Sequence, residues 1–298
     1  MIVSLLEEFS VIEVHNPKNI EHQGTKYKFW YGDPDAPILF KEGKIQGENW
    51  AELVASELAR KIGLPAAEYF PAIYKEKKGV VTPSFVSRTQ RLVTGNELFS
   101  RLNSTYADVS FWKRKDYKLA TSLVILESMY GHNDEFITLH PLLRPAEIFV
   151  GYLIFDFLIA NQDRHDENWG LLRGENQLSL APTYDHASSL ACREPLDKRL
   201  ERLKTKDKNY TIEFFLGRSI TPFHGLDSKR LKNSDVLAYC FKHYSFAAEF
   251  WAKKIMSVSD DFLISVLDIF PHDWMSEIEK EFTLKMLQIN RGHILEYL

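Results

Sequence analysis

The strongest constraint in this chain is a change of character at residue 161. Ile148 to Ala160 is an apolar run of 13 residues interrupted by one charge, Asp156. The polar octet Asn161-Gln162-Asp163-Arg164-His165-Asp166-Glu167-Asn168 follows at once. The run is too short to span a bilayer, which takes about 20 residues. Pro145 stands ahead of it, a residue suited to the first turn of a helix. PAEIFVGYLIFDFLIAN therefore reads as a helix, apolar nearly all round and buried. A polar octet at the end of a buried helix must emerge at a surface or line a cleft. A solvated helix end would produce the same pattern, so the rest of the chain must decide.

Composition narrows the choice. The 298 residues are 45% apolar and 26% charged, a globular balance that excludes a disordered chain. At roughly 100–200 residues per domain, one large domain or two lobes is expected. Lys and Arg number 37 against 41 Asp and Glu, and the net charge of −4 argues against direct nucleic-acid binding. Cys192 and Cys240 lack a second pair to make a zinc site and read as reduced core thiols. The N-terminal MIVSLLEEFSVIEV has no basic region and is unlike a signal peptide. A soluble cytoplasmic protein without membrane contact is expected.

The first part of the chain reads as strands. KYKFWYG and Ile38-Leu39-Phe40-Lys41 flank a turn at Asp33–Pro37, and strand-like segments return at Tyr69–Tyr74 and Val80–Val86. Between them GENWAELVASELARKIGL changes period: Trp50, Leu53, Val54, Leu58 and Ile62 make one helical face that stops at Gly63. From about residue 98 the chain reads as mostly helical, with a short strand pair, WGLLR and QLSLA, and amphipathic segments near Val236–Ile255, Asp260–Ile269 and Ser276–Tyr297. Strands first and helices after make an α+β architecture of two lobes, with a boundary near Thr94–Glu97. KRLERLKTKDK (Lys198–Lys208) reads as a mobile, solvated basic segment.

Phosphoryl transfer needs a carboxylate to orient and deprotonate the attacking hydroxyl, and oxygen ligands for magnesium. Asp163 and Asn168 stand five apart, the offset of the catalytic-loop Asp and Asn in protein kinases. Asp185 lies 17 residues beyond Asn168, past the strand pair, where a second metal ligand is expected. Upstream, Lys41 ends a strand and could reach phosphate. Glu52 and Glu57 in the next helix are rival partners for it, roughly 140° apart round the axis, and Glu52 is chosen. Gly24-Thr25-Lys26-Tyr27-Lys28 lies between strand-like segments, where Gly24 allows close backbone approach to phosphate and Lys28 adds charge. No P-loop motif occurs.

FLIANQDRHDENWGLL followed by LAPTYDHASSLA resembles the HipA-like kinases, bacterial Ser/Thr kinases of toxin–antitoxin type. Their Asp-Arg-His-x-x-Asn pattern is shared with phosphatidylinositol 3- and 4-kinases. Gly24 with Lys28, ILFK, GENWAELVASELARKIGLPAAEY, TPSFVS and LVTGNEL extend the likeness over about residues 20–297. The resemblance implies a two-lobed protein-kinase-like α+β fold, with a strand-rich N-terminal lobe over 1–96 and a helical lobe over 97–298. It implies ATP and Mg2+, with Asp163 as base, Asn168 and Asp185 as metal ligands, and Lys41, braced by Glu52, on the phosphates. Gly24, Thr25 and Lys28 would form the phosphate loop, and Arg91-Leu92-Val93 the hinge facing adenine. Arg164 and His165 would brace the catalytic loop. Arg218-Ser219 and the 190s to 210s resemble the activation-segment region, where a protein substrate would dock. A small-molecule phosphotransferase and a catalytically silent binding module are the alternatives.

Two features depart from the longer members. Only 23 residues precede Gly24, and His22 and Gln23 stand where a loop serine would be. The expectation is a short form without the additional N-terminal subdomain, controlled in trans by a small partner that docks on the N-terminal lobe and restrains the Gly24–Lys28 loop.

Overall fold

The basic and aromatic segment KYKFWYG, the turn at Asp33–Pro37 and the apolar Ile38-Leu39-Phe40 make a hairpin, and the hairpin sets the geometry of the first sheet. The computed structural model describes residues 9–15, 19–20, 27–45, 47–110, 113–132, 136–137, 140 and 143–298. Gly24 and Thr25 lie outside the described residues. Strands β1 (Ile12–Glu13), β2 (Asn19–Ile20), β3 (Lys28–Asp33) and β4 (Ala36–Glu42) precede helix α1 (Glu48–Ile62), and β5 (Phe70–Tyr74) and β6 (Lys77–Pro83) follow it. They form a mixed sheet in the order β1-β5-β6-β4-β3-β2. The β3–β4 register pairs Phe29 with Phe40 and Lys28 with Lys41. Successive side chains alternate across a strand. Phe29 and Phe40 therefore share a face, their ring centroids 5.1 Å apart, and Tyr74 packs 4.7 Å from Phe29. Lys41 points the other way, towards α1.

Helix α1 buries the predicted face of Trp50, Leu53, Val54, Leu58 and Ile62. Gly63 ends it with φ 71°, a left-handed conformation that a Cβ would penalise. Strand β7 (Arg91–Thr94) then leaves the first sheet and pairs with β9 (Gly170–Arg173) in a second, ordered β7-β9-β10-β8, where β8 is Phe136–Ile137 and β10 is Leu178–Leu180. Thr94 caps helix α2 (Gly95–Leu102) in a capping box with Glu97. Helices α3 (Leu119–His132) and α4 (Pro145–Leu158) follow, and α4 is buried along its whole length, as its all-round apolarity requires.

Three expectations need correction. Lys198–Lys204 belongs to helix α5 (Leu196–Lys204), and Arg199 on it is fully buried. Its guanidinium lies 5.4 Å from the rings of both Trp50 and Phe282 and donates to the carbonyls of Glu194 and Ala191. Aromatic faces and carbonyls thus replace the water that a solvated segment would have used. After α6 (Ile212–Leu216) comes a hairpin that the helical pattern concealed, β11 (Ile220–His224) and β12 (Arg230–Lys232). The amphipathic stretch 236–255 is two helices, α7 (Asn233–His243) and α8 (Ser245–Met256), broken at Tyr244 with φ −136° and ψ 46°. Its hydroxyl donates to Glu127 on α3 at 2.8 Å, a tertiary bond invisible in local periodicity. Helices α9 (Asp260–Asp268) and α10 (Glu277–Leu295) complete the chain. No helix among the described residues is long and apolar enough to cross a membrane.

Helix α4 packs against α3, α7, α8 and α10. Its contact with α8 depends on Gly151, where a Cβ would lie 2.6 Å from the indole of fully buried Trp251. That indole donates to the Glu147 carbonyl at 3.0 Å from the same edge that faces Gly151, which fixes the ring there. Helix propensity favours Ala over Gly by ~1 kcal/mol, whereas overpacking a filled core costs ~1–3 kcal/mol. With a rigid ring in the way the clash should win. Urea denaturation of Gly151→Ala is expected to show a net loss of stability of ~1 kcal/mol.

Candidate active site

The octet 161–168 is lifted off the end of α4 by a reversal at Ala160, whose φ is 50°. Asn161 donates to Asp156 from its side chain at 2.8 Å and accepts from the Asp163 backbone N–H at 3.1 Å. Asn168 closes the loop by donating to the Asp163 carbonyl at 2.7 Å. Asp166 faces inward, where it accepts from Tyr106 Oη at 2.6 Å and Arg114 Nη1 at 2.8 Å. Its burial leaves Asp163 as the octet's part-exposed aspartate, with a side chain 36% accessible.

Arg164 is the fastening. Fully buried, its guanidinium forks onto Asp156, Nε to Oδ2 at 2.7 Å and Nη2 to Oδ1 at 2.8 Å. Nη1 donates to the Asn168 carbonyl at 2.7 Å and the Tyr184 carbonyl at 3.4 Å, and Nη2 meets His186 Nε2 at 3.2 Å. One side chain thus ties α4, the octet and the segment around Asp185 together. Burial, reinforced by the Arg164 charge, holds the His186 pKa well below its usual value. The imidazole is therefore neutral and accepts from Arg164.

Asp185 follows β10 in the left-handed region, with φ 59°. Residues 65–67 beyond α1 pair with Thr183 through two backbone hydrogen bonds of 2.9 Å, which hold this segment against the first sheet. Lys41 Nζ donates to Asp185 Oδ1 and, at 3.5 Å, to Glu52 Oε2. Burial would lower the Lys41 pKa, but Asp185 and then Glu52 outweigh it and raise it, so the ammonium stays charged. Glu52 is buried and also accepts the His186 backbone N–H at 3.2 Å. Glu57 turns away to Arg60, Nε to Oε2 at 3.2 Å. The helical geometry that let only one glutamate face Lys41 is thus met by Glu52.

The structure brings Lys41, Glu52 and Asp185 into one cluster and ties Asn168 and Asp163 to it through Arg164. Lys28 lies beside Lys41 across the β3–β4 pair. Arg91, Leu92 and Val93 form β7, the segment joining the two sheets, with Val93 buried and Arg91 donating to Glu97 at 2.9 Å. Four participants escaped the sequence reading. Asp156 anchors Arg164, and its signal was a lone carboxylate in an apolar helix. Tyr69 Oη accepts the Asp185 N–H at 3.3 Å. Ser188 Oγ donates to Asp163 Oδ2 at 3.1 Å, and Arg193 donates to that Oγ at 3.0 Å. Nothing local marks these last three residues.

The sequence model of the HipA-like C-terminal domain family matches residues 22–232. The serine/threonine-protein kinase CtkA of Helicobacter pylori is 24% identical over 307 residues, covering 97% of this chain and 86% of the relative. The crystal structure of that organism's proinflammatory kinase CtkA superposes with a TM-score of 0.66 at 20% identity, covering 96% of this chain and 99% of that one. HipA of Shewanella oneidensis, solved with HipB and operator DNA, gives a TM-score of 0.58 at 13% identity, covering 95% of this chain and 68% of that one.

Removing one member of a buried ion pair typically costs ~3–5 kcal/mol, because the partner's charge is stranded. Arg164→Gln is expected to lose about that much stability. Adding Asp156→Asn to it should cost little more, and a double-mutant cycle read by chemical denaturation measures the coupling.

Proposed function

The chain belongs to the HipA-like C-terminal domain family, and on that premise we propose that it is an ATP- and Mg2+-dependent protein kinase that phosphorylates Ser or Thr hydroxyls. The observation that carries the reading is the meeting of buried Lys41 with buried Glu52 and part-exposed Asp185, the last 144 positions away in sequence. A charged lysine held by a helix glutamate is the device by which kinases grip nucleotide phosphates. The kinship with CtkA, named a serine/threonine-protein kinase, supports a protein acceptor. The proposal uses residues 1–96 as the phosphate-binding lobe and 97–298 as the helical lobe, with Arg91–Val93 as the adenine-facing hinge. Gly24, Thr25 and Lys28 would cover the phosphates.

In this reading Asp163 orients the acceptor hydroxyl and takes its proton. Its carboxylate already accepts one alcohol O–H, that of Ser188, and its side chain remains partly accessible. Asn168 and Asp185 offer oxygen donors, which suit a hard cation. Among the described residues no group of three or more His, Cys, Asp or Glu forms a metal cage. Such a cage is not required, because Mg2+ is usually held by one or two carboxylates plus the phosphates themselves. When bound, Mg2+ would neutralise charge on those phosphates. Arg164 binds the carbonyls of Asn168 and of Tyr184, the residue before Asp185, and Lys41 would hold phosphate oxygens. Solution of the HipA relative with HipB and operator DNA supports a regulatory partner for this chain, and its docking on the N-terminal lobe is part of the proposal. A cytoplasmic location belongs to the same reading.

The test is transfer of label from γ-labelled ATP in a cell lysate. Discrete labelled proteins are expected, whereas label confined to small molecules would redirect the reading to a small-molecule phosphotransferase. Asp163→Asn should lower the rate by ~10²–10⁴ while leaving nucleotide affinity nearly intact, since the amide is close in shape but takes no proton. Wild-type turnover in that variant would sink the assignment. Glu52→Gln should slow transfer far more than Glu57→Gln, because only Glu52 touches Lys41.

A further inference from the structure

Beside the catalytic octet lies a groove that the phosphoryl-transfer reading does not use. Its cavity of about 330 Å³ is bordered by Gln162, the residue before Asp163, and by Arg202, Tyr210, Phe215, Arg218 and Ser219. Its floor is tied to the octet: Asn233 donates to the Ser219 carbonyl at 3.0 Å and to the Asn161 carbonyl at 3.2 Å.

The charges in it are unbalanced. Arg202 is stacked 4.4 Å from the Tyr210 ring and 4.6 Å from the Phe215 ring. Its charge is matched by Glu194, which accepts from Nε at 2.7 Å. Arg218 is exposed against the Phe214 ring at 5.8 Å, and among the described residues no carboxylate pairs with it. No lining residue is acidic. Ser219 is only 6% exposed, and its Oγ has no hydrogen-bond partner among the described residues. The Ser219 Oγ is itself enclosed, so the group an occupant meets is the exposed Arg218 guanidinium, which in a groove lined by no acid favours an occupant that accepts hydrogen bonds and carries negative charge. The Gln162 amide adds a further donor at the edge nearest Asp163.

We propose that this groove reads an oxyanion on the polypeptide substrate, an Asp or Glu carboxylate or a phosphoryl ester, within about three residues of the acceptor hydroxyl. The reach follows from its border on Gln162, since an extended strand advances ~3.3 Å per residue. The inference rests on the kinase reading and deepens it by naming the substrate's local charge.

Peptide binding separates the two. Fluorescein-labelled peptides with a central Ser carry Glu, phosphoserine, Ala or Lys at each position from three before it to three after. Their affinity for the full chain is measured by anisotropy with a non-hydrolysable ATP analogue. At one position or more, Glu or phosphoserine should tighten binding about tenfold over Ala. Arg218→Glu should erase that gain and favour Lys, while Arg218→Lys should keep part of it. Preference for Glu identifies the carboxylate source and preference for phosphoserine alone the phosphoryl source. Equal affinity across the series, no measurable binding, or a preference indifferent to Arg218→Glu overturns the proposal. An Arg218-dependent acidic preference in a chain that labels nothing would leave the groove standing and overturn the kinase reading.

Discussion

The site hangs on one buried guanidinium. Arg164 is buried, and a charge taken out of solvent costs several kcal/mol unless its donors and charge are met. Asp156 meets the charge in a forked pair, and the carbonyls of Asn168 and Tyr184, with the His186 ring, take the remaining N–H groups. These partners come from helix α4, from the far end of the octet and from both sides of Asp185. Satisfying one side chain therefore fixes three segments at once. A lysine could not do this, because an ammonium lacks the planar fork that reaches four partners in one plane.

The second constraint is electrostatic. Lys41 is in contact with two carboxylates, those of Glu52 and Asp185. Glu52 is buried and Asp185 is part-exposed, and the ammonium between them offsets the repulsion of their like charges. Glu52 also accepts the His186 N–H, so the helix carrying it is keyed to the Asp185 segment as well as to the strand carrying Lys41. The sheet, α1 and the helical part thus meet at a single charged contact. Movement of any one of them would break it.

How much of this was legible in the sequence follows from the range of the forces. Helix α1, its stop at Gly63, helix α4 and the octet were legible because periodicity and glycine chemistry act within a few residues. The Asp163–Asn168 offset and the later Asp185 were legible because their pattern is compact. The choice of Glu52 over Glu57 followed from helical geometry alone. What stayed hidden is tertiary. Arg199 looks solvated in a run of lysines until Trp50 and Phe282 close over it. Tyr244 breaks a continuous amphipathic pattern through a bond to α3. Ser188 and Tyr69 touch the acids only after the chain has folded back, and no short window contains both partners.

The two turns that deliver the acids are unfavourable on their own. Ala160 and Asp185 are both left-handed, with φ 50° and 59°, and neither is glycine. Such residues cost on the order of 1–3 kcal/mol each and persist where surrounding contacts over-determine them. Those contacts are present. Beyond Ala160 the Asn161 N–H is taken by the Asp156 carbonyl at 2.8 Å, and the Leu190 N–H by Ile159 at 2.7 Å. The Asp185 N–H is taken by Tyr69, and its carboxylate by Lys41. The chain thus holds its acids on backbone that cannot relax locally, clamped by the network around Arg164. Groups fixed before a reaction need no reorganisation during it, which is the condition for strong electrostatic assistance to a developing charge. The strain and the clamp belong together: the buried pair Arg164–Asp156 fastens the segments that follow both costly turns, one leading into the octet and the other carrying Asp185.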